Sequence, residues 1–226
     1  MQETSLHAAL KDWYTQNGDQ QEVPVDGFQI DVVHGDLLIE IQTGNFTALK
    51  SKLPILLENH PVCLVHPIAQ EKWIVRLPAD SDRVLDRRKS PKRGRAEHLF
   101  LELVRIPHLV NHPNFHLEVL LVQEEEIRRN DGRGSWRRKG WSIMDRRLLG
   151  VISTLRLETP DDFRAFLPQT LPQPFTTRQL ASAGGQPTYL AGKMAYCLSA
   201  MGLIRRVGKQ GRAYLYQTQE QRETGS

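Results

Sequence analysis

Two apolar runs flank Gly35-Asp36, and this short loop constrains the chain more than any other feature. Phe28-Gln-Ile-Asp-Val-Val-His34 precedes it and Leu37-Leu-Ile-Glu-Ile-Gln42 follows. A two-residue loop opening on Gly predicts a tight β-hairpin and sets its register. His34 then faces Leu37, Val32 faces Ile39, Asp31 faces Glu40 and Ile30 faces Ile41. Strand side chains alternate between faces, so Ile30, Val32, Ile39 and Ile41 share the core face. Asp31, Glu40 and Gln42 share the other. Residues directly opposite have Cβ atoms about 5 Å apart. Two carboxylates that close repel unless a proton or a cation sits between them. Hard oxygen donors on a rigid sheet suit Mg²⁺ (or Mn²⁺), which takes one or two protein carboxylates and keeps several waters. Such an ion would lower the pKa of a bound water and stabilise charge on a phosphate under attack. A polar hairpin face turned to solvent is the other reading of the same residues.

The surrounding pattern predicts a small α/β sandwich. Leu6, Leu10 and Trp13 or Tyr14 mark a helix over residues 4–15, capped by Thr4 or Ser5. Leu49, Leu53, Leu56 and Leu57 mark a second helix over 46–59, with Pro54 a possible kink. Residues 61–67 and 72–77 read as two further strands.

In that setting, Ile30-Asp31 followed by Leu38-Ile39-Glu40-Ile41-Gln42 resembles the PD-(D/E)XK signature of restriction enzymes and archaeal junction resolvases. The resemblance spans roughly residues 1–77. It implies a nuclease-like mixed sheet flanked by helices, with Asp31 and Glu40 as metal ligands. Glu3, just upstream of Leu6-His7-Ala8-Ala9-Leu10, matches the acidic residue many members carry on their first helix; it would help directly or through water. Gln42 stands where the family usually has Lys, although some members are similar in having Gln. Lys50 or Lys52 on the following helix would then substitute for the missing cation.

Charge is unevenly spread. Residues 1–80 carry five Lys/Arg against eleven Asp/Glu, residues 81–150 sixteen against ten, and residues 151–226 nine against five. Polyanion binding by the basic part is one explanation, and uneven surface charge another. Lys92, Arg93 and Arg95 lie in a basic linker over 83–95. Arg137, Arg138 and Lys139 sit between Trp136 and Trp141, as in loops that grip single strands or grooves. In both places a solvated or anchoring role is the alternative. His108, His112 and His116 are spaced by four, but Pro107 and Pro113 break any helix that would align them as ligands.

Residues 175–216 resemble a winged helix-turn-helix: a short helix, a Gly184-Gly185 turn, a second helix from Pro187 to Met201, and two strands around Gly208-Lys209-Gln210-Gly211. The resemblance implies DNA as partner. Gln186, Thr188, Tyr189 and Lys193 would face a major groove, and Arg178, Arg205, Arg206, Lys209 and Arg212 would meet phosphates. No Asp or Glu occurs between Leu171 and Tyr216. A protein-binding winged helix is the alternative.

The resulting division is a nuclease-like core at 1–82, a basic linker with an α+β extension at 83–167, a winged helix at 168–218 and a disordered tail at 219–226. Cys63 and Cys197 sit among apolar neighbours and suggest buried thiols rather than a disulfide framework. No apolar run approaches the ~20 residues of a membrane span, and the first residues lack the pattern of a signal peptide. A cytoplasmic protein with DNA as partner is expected, and a homodimer is left open. The functional expectation is a Mg²⁺-dependent DNA endonuclease. A nuclease fold that binds DNA without cutting it, and a protein-assembly module, stand beside it.

Overall fold

A computed structural model describes residues 4–219. The architecture is mixed α/β, with a large mixed sheet flanked by helices and a second, three-stranded sheet. The described residues fall into two units. One takes in residues 4–43, 65–96 and 119–155; the other takes in 44–64, 97–118 and 156–219.

Helix α1 (Ser5–Tyr14) begins where Thr4 caps it, the Thr4 hydroxyl accepting the His7 N–H at 3.4 Å. Its Leu6 and Leu10 are buried. Strand β1 (Gln20–Val25) then pairs with β2 (Phe28–His34) across Asp26-Gly27. Both turn residues take positive φ, 48° and 80°, as a type I′ hairpin requires. β1 has no counterpart in the sequence pattern, because Gln20-Gln21-Glu22 offers no apolar alternation. β2 pairs with β3 (Leu37–Ile41), with Val32 opposite Ile39 and His34 opposite Leu37. The register set by Gly35-Asp36 is therefore the observed one. Burial alternates along β2, whereas Leu38 to Ile41 are all buried, so β3 is covered on both faces.

Helix α2 (Leu49–Asn59) follows a 3₁₀ turn at Phe46–Ala48 and buries Leu49, Leu53, Leu56 and Leu57. The two strands expected at 61–67 and 72–77 are one, β4 (Val62–Leu77). Its polar middle stays in the sheet because neighbouring strands supply partners. Glu71 accepts from Lys89 Nζ at 2.7 Å and from Gln123 Nε2 at 2.9 Å. Lys89 belongs to β5 (Asp86–Lys89), a strand formed within the basic stretch and paired with β4. Gln123 belongs to β6 (Phe115–Arg129), which is followed by β7 (Ser142–Leu157). The sheet order is β1-β2-β3-β4-β6-β7, with β5 alongside β4. Between β5 and β6 lie a short helix, α3 (Phe100–Leu103), and 3₁₀ turns at Ala96–Leu99 and Pro107–Asn111.

A 3₁₀ segment at Pro160–Phe166 leads into β8 (Phe175–Thr176), α4 (Thr177–Gly184), α5 (Thr188–Ala200), β9 (Ile204–Gln210) and β10 (Ala213–Thr218). The three strands form a sheet in the order β8-β10-β9. A capping box opens α4: Thr176 Oγ1 accepts the Gln179 N–H, while Gln179 Oε1 accepts the Thr176 N–H.

Cys63 and Cys197 are free and buried, and burial pushes both thiols up to about 12. Neither is a thiolate at neutral pH. Among the described residues no helix is long and apolar enough to cross a membrane.

One buried charge network gives a direct test of packing in the first unit. Lys72 Nζ reaches Glu124 Oε1 at 2.7 Å and Glu126 Oε2 at 3.2 Å, and Arg128 also pairs with Glu126. Burial alone would raise the Glu126 carboxyl; Lys72 and Arg128 outweigh it and hold the group below its ordinary 4.5. A depressed carboxylate stabilises the fold above its unfolded pKa, and the contribution fades as pH falls through the folded value. Lys72→Met is expected to cost about 3 kcal/mol at pH 7, the low end for breaking a buried pair, because Arg128 remains. The gap to wild type should narrow as pH drops below the carboxylate range. Urea denaturation at neutral and acid pH measures both; an unchanged gap would sink the assignment.

Candidate functional site

Asp31 lies on β2 between Ile30, which pairs with Val23, and Val32, which pairs with Gln21 and Ile39, and Glu40 lies on β3 next to Ile39. Glu22, Asp31 and Glu40 thus sit on three successive strands. Helix α1 reaches two of them through residues four apart, His7 and Lys11, which share a helix face. His7 Nε2 is 3.3 Å from Asp31 Oδ2 and 3.0 Å from the Ile41 carbonyl oxygen. Lys11, only 5% exposed, places Nζ 2.5 Å from Glu22 Oε1. The Ile41 N–H donates to Asp31 Oδ2 at 2.7 Å. Asp31 and Glu22 are thus held by α1 side chains and, for Asp31, a backbone donor. Both contacts to Asp31 fall on Oδ2.

Glu40 is 8% exposed. Gln42 donates its N–H to the Val65 carbonyl at 2.9 Å, and His66 Nδ1 lies 2.7 Å from the Gln42 carbonyl. His7, Lys11 and Glu22 are participants that the hairpin pattern alone did not bring forward. The available signal was the i, i+4 spacing of His7 and Lys11 on a helix that buries Leu6 and Leu10. Glu3 lies outside the described residues. Lys50 and Lys52 lie on α2 in the second unit, where Lys50 lines a cavity. Among the described residues no group of three or more His, Cys, Asp or Glu side chains is arranged to hold a metal ion.

The basic segments divide by how their cations are used. Arg87 pairs with Glu125 at 2.7 Å, and Arg87 and Lys89 both sit over the Trp73 ring. Lys92, Arg93 and Arg95 are exposed, and Arg93 reaches Glu71 at 3.5 Å. In the loop after β6, Gly134 packs so closely on Trp141 that an added Cβ would lie 1.9 Å from the Trp141 oxygen. That closure leaves Trp136 83% exposed, with Arg137 over its ring, while Arg138 Nε donates to the Trp141 carbonyl. Lys139 is exposed at a positive φ of 51°.

Along α5, Leu190, Met194, Cys197 and Leu198 face the interior. Thr188, Tyr189, Lys193 and Tyr196 fall on the opposite side, with Tyr189 64% and Tyr196 51% exposed. Tyr196 was not singled out by sequence, although it repeats the position of Tyr189 two turns on. Arg178 on α4 is exposed. In the β9–β10 hairpin, Arg205, Arg206, Lys209 and Arg212 are exposed, and Arg206 and Lys209 flank the Tyr214 ring at 4.2 and 5.2 Å. From Leu171 to Gln219 the chain has no acidic side chain to neutralise them.

The pattern of a family described as a domain of unknown function (DUF8091) matches residues 4–158. The chain belongs to the DUF8091 family. An uncharacterized protein of Treponema pallidum (strain Nichols) is 34% identical over 222 residues, which cover 95% of this chain and 84% of that protein. No solved structure matches. The DUF8091 match takes in Asp31, Glu40 and the Trp136 loop, and it ends before β8. The similarity to the Treponema protein extends over nearly the whole chain.

Proposed function

We propose that this DUF8091 member binds duplex DNA through α5 and the β9–β10 hairpin. One observation carries the reading: an exposed helix face and a four-cation hairpin share a stretch of chain free of acidic residues. The order strand, helix, helix, strand, strand, with sheet order β8-β10-β9, supports the resemblance to a winged helix-turn-helix. In that arrangement the second helix enters the major groove and the hairpin follows the backbone. Thr188, Tyr189 and Lys193 would meet base edges; Arg178, Arg205, Arg206, Lys209 and Arg212 would meet phosphates. Lys92, Arg93, Arg95 and the Arg137-Arg138-Lys139 loop are candidates for further backbone contacts. Fluorescence anisotropy with a labelled duplex tests the reading; affinity that is flat across salt concentrations would overturn it.

A second reading is favoured by Asp31 and Glu40 on adjacent strands of one hairpin: a PD-(D/E)XK-like, metal-dependent cleavage of the bound DNA. Two carboxylates are the number that Mg²⁺ or Mn²⁺ takes from protein, and Asp31 Oδ1 with Glu40 would hold it. The ion would supply an activated water and charge stabilisation. Glu3 and Gln42 complete the set that the resemblance implies. On this reading, plasmid incubated with Mg²⁺ or Mn²⁺ is nicked by wild type. Asp31→Ala and Glu40→Ala each reduce nicking by about a hundredfold, as loss of a metal ligand should. Plasmid bound but left intact, or nicking that survives both substitutions, would leave DNA binding without cleavage at this site.

A further inference from the structure

The second unit carries a cavity of about 360 Å³, separate from the hairpin cations. Its walls come from α2, from the segment joining α3 to the following 3₁₀ turn, and from α5. Lys50 and Arg105 bring two cations to the lining, with His108 beside them. No carboxylate lines it. The remaining wall is apolar, including Pro54, Ile106 and Leu109, and Tyr196 closes one side. Arg105 is only loosely committed: its Nε is 4.0 Å from Glu102 Oε2, an oxygen that also accepts the Phe46 N–H. Tyr189, Lys193 and Tyr196 follow i, i+4, i+7 spacing, so the cavity opens beside the exposed face of α5.

Charge and shape together limit the occupant. Two lining cations against a single carboxylate at 4.0 Å favour an anion. Apolar walls and a tyrosine are wasted on inorganic phosphate but suit a planar ring. The volume falls at the lower end of the roughly 300–1,000 Å³ that accommodates small ligands. We propose that this cavity binds a nucleoside phosphate, with Tyr196 against the base and Lys50 and Arg105 on the phosphate. The nucleotide is either free or an unpaired nucleotide of a nucleic acid; the latter case rests on the DNA-binding reading above, and the former does not.

The test uses the full chain with four probes: deoxyadenosine monophosphate, inorganic phosphate, a blunt duplex, and the same duplex carrying one bulged adenosine. Calorimetry reads the first two and anisotropy the others. The expected result is saturable deoxyadenosine monophosphate binding, or a preference for the bulged duplex of about tenfold, the low end of what one stacked base contributes. Arg105→Ala and Tyr196→Ala should each remove that signal. Arg105→Ala should leave blunt-duplex affinity within about twofold, since rim changes away from a contact are near neutral. Arg105→Lys should restore part of the signal, keeping the charge but not the planar fork; it also guards against a folding defect in the alanine variant.

Nucleotide binding without bulge preference identifies a free ligand, and the reverse identifies a nucleic-acid source. Phosphate binding as tightly as the nucleotide overturns the assignment. So does the absence of both signals, or their persistence in both variants. If blunt duplex fails to bind while nucleotide binding still responds to Arg105→Ala, the cavity stands and the duplex reading falls.

Discussion

Replacing Arg205, Arg206, Lys209 and Arg212 together by alanine is expected to weaken duplex binding at least about a thousandfold at low salt. The estimate follows from counterion release. Each phosphate neutralised contributes about 0.9 to the slope of log affinity against log salt, so four contacts give a slope of about −3.6. These four contacts alone should then make affinity fall roughly 150-fold between 50 and 200 mM salt. The variant should lose both the affinity and most of that slope. These residues are exposed and the hairpin has no acidic partner to leave stranded, so folding should be little affected. Thr188→Ala and Lys193→Ala provide the contrast. Base-edge contacts should change discrimination between duplex sequences more than the salt slope. Anisotropy across a salt series reads all three variants. A quadruple variant that keeps the wild-type slope would place the phosphate contacts elsewhere.

The largest expected effect on stability comes from Phe163→Ala. Phe163 is fully buried and packs edge-on to Phe100, with ring centroids 6.3 Å apart and planes at 72°. Phe166 completes the cluster, 5.0 Å from Phe100 and 6.1 Å from Phe163. Truncating such a ring removes its transfer free energy and leaves a cavity that neighbouring rings cannot close. About 3–5 kcal/mol of stability should be lost, which urea denaturation would detect directly. Phe163→Leu should recover a large part of it by refilling the space. A loss under about 1 kcal/mol would mean that the aromatic cluster is not a packed core. The same variants separate stability from binding, because the α5 face and the hairpin cations remain unaltered.

The hairpin around Gly35-Asp36 was readable because everything that defines it lies within a few residues. A glycine with φ of 57°, a two-residue loop and alternating side chains set the register without help from elsewhere. Helix starts were equally local: Thr4 and Thr176 accept N–H bonds three residues on, and the apolar stripes of α2 and α5 follow from helical spacing. By contrast, β1 opens on Gln20-Gln21-Glu22 and β5 is Asp86-Arg-Arg-Lys89, neither with an apolar alternation to announce a strand. They are strands because β2 and β4 offer free edges to pair with. β4 runs unbroken through Glu71-Lys72 for the same reason: Lys89 and Gln123 bond Glu71, and Glu124 and Glu126 pair with Lys72.

The site divides along the same line. Sequence by itself determined the hairpin that carries Asp31 and Glu40 on adjacent strands, and the run of cations on α5 and its hairpin with no acid near them in the chain. Tertiary structure decided what meets them. It set His7 of α1 beside Asp31 and Lys11 beside Glu22, turned Tyr196 toward a cavity, and gathered Lys50, Arg105 and His108 around it. The reason is range. Turns, caps and alternation are decided by neighbours a few bonds away. An ion pair between helix and strand, or a cavity wall drawn from three separate segments, depends on side chains whose meeting leaves no local periodicity to read.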